Sequence, residues 1–449
     1  MKKLLIGTAI ALMASSCTWF ESKSETHAGL TTKKIVKIRG DLKSYEYQLK
    51  NGMTVVLTPN KKAPTSSVYH WVKVGSVHEE KGITGIAHLF EHMMFRPLAK
   101  GAKPFFTKVK ELGGSANANT RFASTVYTTT APNNKLETLL KYEADRFKKL
   151  KVTNKLLDLE REAVRSEYST KLDASPVFDL WFKIYALAFP NTPYEWGIVG
   201  FREDLDKITA KDCNDFFEKY YKGKNIGLFV AGDFDQDKIL ESIKKYYGPI
   251  KPGQKTVLPK ISENATKMVK GIGDLPTPNK YVVMGYRIPE INEENAYRLN
   301  ILNHIMYDSS YSLFDRKVID EKKIVSSGGG FSFSYVRKLF MSLGVLYPNK
   351  TENELIQANE NLIKMLEKLD AKEYEAYKKE YQVSLYESLE RNESLNSSLA
   401  YSWGKLGDTG ETIAFSKEIP KLSKADLLKF TKKFWKESNL VVVKSKSMK

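Results

Sequence analysis

The chain has 449 residues, of which 42% are hydrophobic and 28% are charged. This composition excludes a largely disordered protein, and the length exceeds one ordinary core, so we expect two domains of roughly 200 residues each. The net charge is +18, but the lysines are spread along the whole chain and no nucleic-acid-binding signature is present. We therefore interpret the charge as a solvated basic surface and predict no nucleic-acid partner.

The N-terminus has the pattern of an export signal. Lys2 and Lys3 precede an apolar run over 4–14, and small residues then lead directly into Cys17. Small residues that run into a cysteine resemble a bacterial lipobox, although Ala14 stands where leucine is usual. In a lipobox protein, the cysteine becomes the lipidated first residue of the mature chain.

This pattern predicts a location in the bacterial cell envelope. We expect a signal peptide over 1–17, a polar tether over 18–40, and a periplasm-facing lipoprotein whose lipid is its only membrane contact. The alternative is simple secretion, with Cys17 incidental. The other cysteine, Cys213, lies on a predicted amphipathic helix, so we expect a buried thiol and not a nucleophile.

The rest of the chain predicts two series of strands and helices. The first series occupies 41–250 and opens with two strands around Asn51-Gly52, which is a hairpin signal. Its predicted strands are 45–49, 54–57, 67–74 and 226–230, and its predicted helices are 84–95, 104–112, 135–148, 154–172 and 212–221. A linker is predicted over 251–262. The second series occupies 263–449, with a strand at 281–286 and helices at 293–308, 352–368 and 371–395.

The two series end alike. Six residues recur at identical spacings and precede an apolar strand in both cases: Asp212, Phe216, Tyr220, Tyr221, Lys222 and Asn225 match Asp426, Phe430, Phe434, Trp435, Lys436 and Asn439. Thr209 and Ser423, each three residues before the aspartate, are candidate helix N-caps. Chance similarity between two amphipathic helices is the alternative, but the shared register favours an internal duplication and two related α+β domains.

Two histidines and a glutamate share one predicted helix. His88 and His92 are four residues apart and so lie one turn apart on the same face, with Glu91 beside them. Imidazoles and carboxylates are suitable zinc ligands and bases. The flanking residues are apolar, so the helix should be buried, and a bound metal would offset the cost of burying these groups. The alternative is that both histidines belong to an ordinary helix.

The spacing H-x-x-E-H is the inverzincin motif, and the chain resembles the pitrilysin/insulinase family of zinc metallopeptidases, in particular its processing-peptidase-like branch. Segments 113–120, 125–127, 193–200 and 221–233 carry the same resemblance. It implies an α+β fold of two homologous domains, each an antiparallel-rich sheet packed with helices. Together the two domains would form half of a clam-shell chamber, and the second would lack the metal motif.

The resemblance also implies roles for residues outside the motif. Glu167 would be the third metal ligand, and Glu160, two turns back on the same helix, would support a ligand by hydrogen bonding. Spacing alone does not select Glu167 from its charged neighbours. Asn117 and Ala118 would lie on an edge strand that pairs with extended substrate, although the Gly-Gly before them would also produce a plain turn and strand.

The implied activity is that of an endopeptidase acting on peptides or unfolded segments. One zinc per chain would activate a water as the nucleophile, and Glu91 would act as the general base. Two other classes compete with this hypothesis. One is a non-catalytic scaffold or assembly subunit of the same fold, and the other is a binding protein for anionic surfaces.

The chain also departs from the family pattern. Ala123 stands where many active relatives carry an acid, and Lys322 and Ser326 stand where the second domain often has an arginine and a tyrosine. Tyr335 and Arg337 lie nearby in the sequence. We therefore expect the chain to be the catalytic half of a heterodimer with a paralogous non-catalytic subunit, with a homodimer as the alternative.

Overall fold

The structure is a computed structural model that describes residues 24–259, 267–288, 292–331 and 339–448. The predicted signal peptide, Cys17 and the first residues of the predicted tether lie outside these ranges. Within the described ranges, none of the helices combines the length and the hydropathy that crossing a bilayer requires.

The first half of the chain forms a short hairpin and a larger sheet. The strands are β1 (Thr26–His27), β2 (Leu30–Thr31), β3 (Lys34–Arg39), β4 (Leu42–Gln48), β5 (Thr54–Pro59), β6 (Thr65–Val72), β7 (Ser115–Thr120), β8 (Thr125–Pro132) and β9 (Ile226–Gly232). The helices are α1 (Ile86–Met93), α2 (Phe105–Glu111), α3 (Leu136–Lys149), α4 (Asn154–Glu167), α5 (Pro176–Ala188), α6 (Arg202–Leu205), α7 (Ala210–Tyr220) and α8 (Gln236–Tyr247).

The large sheet has seven strands in the order β3-β4-β5-β9-β6-β8-β7. All neighbours are antiparallel except β5 and β9, which run parallel. The hairpin predicted at Asn51-Gly52 joins β4 to β5, as expected. Strand β7 ends the sheet, so among the described strands its outer edge has no partner.

Part of the predicted tether is wrong. Residues Lys34–Arg39 form β3, which pairs with β4, and the side chains of Val36 and Ile38 are buried on one face of the strand. Alternation in the short stretch Lys34-Ile35-Val36-Lys37-Ile38 produces one apolar face, which the sheet and the helix behind it cover. The polar, basic composition of the whole segment concealed this pattern.

The second half forms a smaller sheet with five strands. These are β10 (Val269–Thr277), β11 (Lys280–Arg287), β12 (Val325–Phe331), β13 (Leu339–Leu346) and β14 (Leu440–Ser447), in the order β10-β14-β11-β13-β12. The helices are α9 (Glu293–Asn303), α10 (Glu352–Lys368), α11 (Ala371–Ser388), α12 (Asn392–Leu406), α13 (Glu411–Glu418) and α14 (Lys424–Thr431). The helix predicted over 371–395 is therefore two helices.

The ends of the two halves repeat in detail. Thr209 and Ser423 both cap their helices through the side-chain oxygen. The Asn225 side chain donates a hydrogen bond to the Tyr220 carbonyl (3.0 Å), and Asn439 donates to the Phe434 carbonyl (2.9 Å). The predicted fold class, two homologous α+β domains, is confirmed.

One helix from each half packs on the sheet of the other half. Helix α5 packs on β10, β11 and β14, where Leu180 and Ile184 contact Val283 and Val441. Helix α12 packs on β6 and β9 of the large sheet in the same way. The predicted boundaries at 250 and 263 divide the sequence, but the hydrophobic cores of the two halves interlock across them.

Polar contacts fix both exchanged helices. On α12, the Asn396 side chain donates to the Ser67 carbonyl at 2.8 Å. On α5, the carboxylate of Asp179 accepts from the backbone nitrogen of Asp274, also at 2.8 Å. Each half buries a helix of the other half and forms hydrogen bonds to it. Because neither core is complete alone, we expect the two halves to unfold as one unit.

The crossing of α12 depends on a glycine. A Cβ at Gly404 would overlap the indole of Trp71, so only glycine allows this close approach. We expect Gly404→Ala to lower stability by about 1–3 kcal/mol through overpacking, measured as a lower urea midpoint. Gly329→Ala, on strand β12, is the control for an added methyl group, because a Cβ there would meet no atom of the described residues within 4 Å. Stabilisation by Gly404→Ala, which helix propensity alone would cause, would contradict this packing.

Candidate metal centre

Helix α1 carries the H-x-x-E-H motif on one face and core residues on the other. Leu89, Phe90 and Met93 are fully buried in the first core, whereas Glu91 and His92 are half-buried on the opposite side. The 3.6-residue helical period separates these two sets. The amphipathic pattern of the segment therefore directs the polar side chains away from the core.

Two residues fix where α1 begins. Gly85 has a φ of 87°, and a Cβ there would overlap the Val199 carbonyl, so glycine is required on both grounds. The Glu79 carboxylate accepts from the backbone nitrogens of Gly85 (2.8 Å) and Ala87 (2.9 Å). Burial raises the pKa of Glu79 to about 8, and these backbone donors oppose that rise. Nothing in our reading of the sequence identified Glu79.

Helix α4 supplies the carboxylates. Thr153 caps its first turn, and Leu157 and Val164 bury one face. Glu160 lies on that buried face and Glu167 is the last residue of the helix. The seven-residue spacing is two turns, so both carboxylates face α1.

The structure brings together His88, His92 and Glu167. One ligand atom of each lies within 4.8 Å of the others. The Glu167 carboxylate is 3.5 Å from His88 Nε2 and 3.3 Å from His92 Nε2. In tetrahedral zinc sites with bonds of about 2.0–2.1 Å, ligand atoms stand about 3.3 Å apart. The donor types and spacings therefore fit zinc.

Glu160 and Arg96 lie on the Nδ1 side of the His92 ring. Its Nδ1 atom lies 3.6 Å from a Glu160 carboxylate oxygen, and Arg96 pairs with the other oxygen of that carboxylate. Burial lowers the pKa of His92, but Glu160 and Glu167 outweigh burial and raise it to about 9. Burial raises the pKa of Glu160, but His92 and Arg96 outweigh burial and the net shift is downward.

Glu91 lies beside the three donors and contacts the edge strand. The Thr120 hydroxyl, at the end of β7, donates to its carboxylate at 2.6 Å. Burial raises the pKa of Glu91, although the Thr120 hydrogen bond opposes the shift. Thr120 is a contact that sequence reasoning missed, because nothing local links it to a helix about 30 residues earlier.

One cavity of about 620 Å³ joins these groups. It contains His88, Glu91, His92 and Glu167, and it extends along β7 past the sequence-predicted Asn117 and Ala118. Its far wall is apolar and belongs to the exchanged helix α5, with Phe178, Trp181 and Phe182. Our sequence analysis did not identify α5.

The second-half residues that the sequence singled out do not line this cavity. Lys322 is exposed, and the Ser326 hydroxyl bonds to the Val345 carbonyl within the small sheet. Tyr335 and Arg337 lie outside the described residues. Cys213 is buried on α7, as expected, and burial raises the pKa of its thiol to about 12.

Two stretches of the chain match domains of one peptidase family. Residues 54–195 match the domain described as insulinase (peptidase family M16), and residues 207–381 match the domain described as peptidase M16 inactive domain. The first stretch contains α1, β7 and α4, and hence every donor of the cavity.

Most of the chain aligns with proteins that carry a name. The chain is 29% identical to the zinc protease PqqE of Helicobacter pylori over 335 residues, which cover 72% of this chain and 73% of that protein. The crystal structure of a protease from Helicobacter pylori superposes with a TM-score of 0.83 at 25% identity, covering 90% of this chain and 100% of that one. The periplasmic protease PqqL from Escherichia coli matches in fold, with a TM-score of 0.71 at 19% identity, over 92% of this chain but 48% of that one.

The raised pKa of His92 predicts how metal binding depends on pH. Coordination requires the neutral imidazole, so below pH 9 zinc must displace a proton from His92. We expect zinc affinity to rise by up to about tenfold per pH unit from pH 6 and to level off near pH 9, as measured by competition with a chromophoric chelator. In Glu160→Gln, which removes one of the three carboxylates that raise this pKa, the plateau should begin at lower pH. Equal affinities at pH 6.5 and 8.5 would contradict the prediction.

Proposed function

The chain belongs to the insulinase family of peptidases, family M16, and on that premise we propose that it is a zinc-dependent endopeptidase. The observation that carries the proposal is the convergence of His88, His92 and Glu167 within 4.8 Å, beside Glu91 and in one cavity with an open strand edge. Two helices that only packed against each other would not require two imidazoles and two carboxylates in one cavity.

The metal ligands would be His88, His92 and Glu167. When bound, zinc supplies a Lewis acid that polarises a carbonyl oxygen and acidifies water. Glu160 holds the His92 ring from the side opposite Glu167, and Arg96 in turn holds Glu160. These outer contacts orient the imidazole and stabilise the carboxylate behind it.

Glu91 would carry the proton. Its carboxylate takes a proton from the attacking water and later gives it to the leaving nitrogen as the peptide C–N bond breaks. Burial raises its pKa, which makes the carboxylate a stronger base toward the attacking water. The Thr120 hydroxyl orients the carboxylate from the edge strand.

The substrate would bind as an added strand. The outer edge of β7 has no partner in the described sheet, so its backbone groups at Asn117 and Ala118 can pair with an extended peptide. Such pairing forms hydrogen bonds to the backbone of the substrate. Because a backbone is free to pair only in an extended chain, it favours peptides or unfolded segments. Phe178, Trp181 and Phe182 close the opposite side of the cavity and limit access of bulk water.

A partner chain would complete the chamber. The chain aligns with 48% of the Escherichia coli PqqL chain, so two chains of this size equal one such protein. Lys322 and Ser326 do not reach the cavity, and no other second-half side chain lines it among the described residues. We therefore infer that a paralogous subunit supplies the contacts that this half lacks.

The envelope location is a separate proposal. It rests on the lysines, apolar run and Cys17 at the N-terminus, with a lipid on Cys17 as the anchor and the body facing the periplasm. A relative in fold, PqqL of Escherichia coli, is a periplasmic protease.

A variant of Glu91 separates a peptidase from a non-catalytic scaffold of the same fold. Glu91→Gln keeps the shape of the side chain but cannot accept a proton, so we expect at least about a hundredfold loss of kcat with zinc content unchanged. Peptide hydrolysis and metal analysis are measured on the same preparations. Glu162→Gln, a matched change on the exposed face of α4, is the control. Zinc binding without hydrolysis in the wild type, alone and with its paralogue, would favour the scaffold.

Mixing experiments test the partner. We expect the purified chain to cleave peptides weakly, and addition of its paralogue to raise the rate together with formation of a stable complex. Light scattering after size exclusion gives the mass, and the rate is followed in the same samples. Full activity of a lone homodimer would contradict the heterodimer proposal and leave the peptidase intact.

A further inference from the structure

A second pocket borders β7 on the face of the sheet that points away from α1. We call it the outer pocket; its volume is about 230 Å³, and it lies between the sheet and the exchanged helix α12. Its polar lining includes Asn117, Asn119 and Arg121 from the strand side and Tyr401 from α12. No acidic side chain is among the described residues that line it.

Alternation along β7 assigns the two faces. Thr120 points inward, where its hydroxyl reaches Glu91. Asn119 points outward, and its side-chain oxygen accepts a hydrogen bond from Arg121 Nε at 2.9 Å. This bond holds the guanidinium beside the strand on the outer face and engages its Nε atom.

Arg121 is the cationic side chain among the described residues that line this pocket. The Arg121 guanidinium lies 5.8 Å from the centroid of the Tyr401 ring, and the Lys405 ammonium lies 2.7 Å from the same centroid. Within the described ranges, no carboxylate forms an ion pair with Arg121. Burial, and then the charge of Arg121, lower the pKa of Lys405, which favours its neutral form and leaves Arg121 as the cation of the pocket.

A peptide strand paired with β7 would present side chains to this pocket. In a paired strand, the residue opposite Asn117 or Asn119 points to the same face as that asparagine. Every second substrate side chain therefore faces the outer pocket, while the others face the cavity with His88. A guanidinium at the strand edge is suited to bind a carboxylate through two parallel hydrogen bonds.

We propose that Arg121 is a specificity-determining residue that binds an aspartate or glutamate side chain of the substrate in the outer pocket. This inference rests on the proposed function, because it requires a peptide paired with β7. It names the substrate class: extended segments with an acidic residue among the side chains that face outward. The high net positive charge of the chain would attract the same segments at longer range.

Peptides with blocked termini test the proposal. In one cleavable sequence, glutamate, glutamine or lysine is placed at each position in turn, and kcat/KM is measured with the wild type and its paralogue. At one outward-facing position, we expect glutamate to be favoured over glutamine by about tenfold. Arg121→Gln should bring this ratio close to one, Arg121→Lys should retain part of it, and Arg121→Glu should favour lysine.

A matched control and a binding measurement complete the design. Arg391→Gln removes the same charge from a side chain that is 81% exposed outside the pocket, and it should keep the wild-type ratio. Binding of the fluorescent glutamate and glutamine peptides to Glu91→Gln, followed by anisotropy, should show the same preference without turnover.

The outcomes separate the two proposals. If the wild type and its paralogue cleave no peptide, the proposed function fails. If they cleave peptides without a preference for glutamate, or with one that survives Arg121→Gln, the inference about Arg121 fails and the peptidase stands. The glutamine peptide is also measured with a free C-terminal carboxyl group. If Arg121 favours that peptide while the blocked peptides show no preference for glutamate, the pocket binds the peptide terminus and the side-chain proposal is overturned.

Discussion

Three donor atoms on two helices must converge within a few ångströms, and the packing of α1 beside α4 meets this constraint. Glu79 and Gly85 fix the start of α1, while the Thr153 cap and the buried Leu157 and Val164 fix α4. With both helices set, the Glu167 carboxylate lies 3.3–3.5 Å from two imidazole nitrogens. An error of one residue in either helix would rotate its donors by about 100°, so these buried contacts maintain the arrangement of the three donor atoms.

The exchange of helices makes the cavity a property of both halves. Helix α5 belongs to the first half of the chain, rests on the small sheet of the second, and carries Phe178 and Trp181 into the cavity. Helix α12 does the reverse and forms one side of the outer pocket. The second half thus supports the α5 wall of the cavity and forms one wall of the outer pocket, although it lacks the metal motif. These contacts give a physical reason for the presence of a second domain without that motif.

Local patterns predicted more than distant ones. His88, Glu91 and His92 are set by one helical turn, so the sequence alone placed them, and the caps Thr209 and Ser423 follow from similar short-range rules. Glu167 is about 75 residues away, and only the family resemblance distinguished it from neighbouring acids. Thr120, Glu79 and the α5 wall depend on tertiary contacts that no periodicity encodes. The strand in the predicted tether was hidden because its lysines and arginine dominated the composition.

The central claim is that this chain holds zinc through two imidazoles and one carboxylate. X-ray absorption at the zinc edge of the purified chain tests it most directly, because the method reports the ligand types around the metal. We predict one zinc per chain, with a shell of nitrogen and oxygen at about 2.0–2.2 Å, two imidazoles and no sulfur. A zinc-free protein after purification in zinc-containing buffer, or a shell with sulfur or without imidazole, would contradict the account.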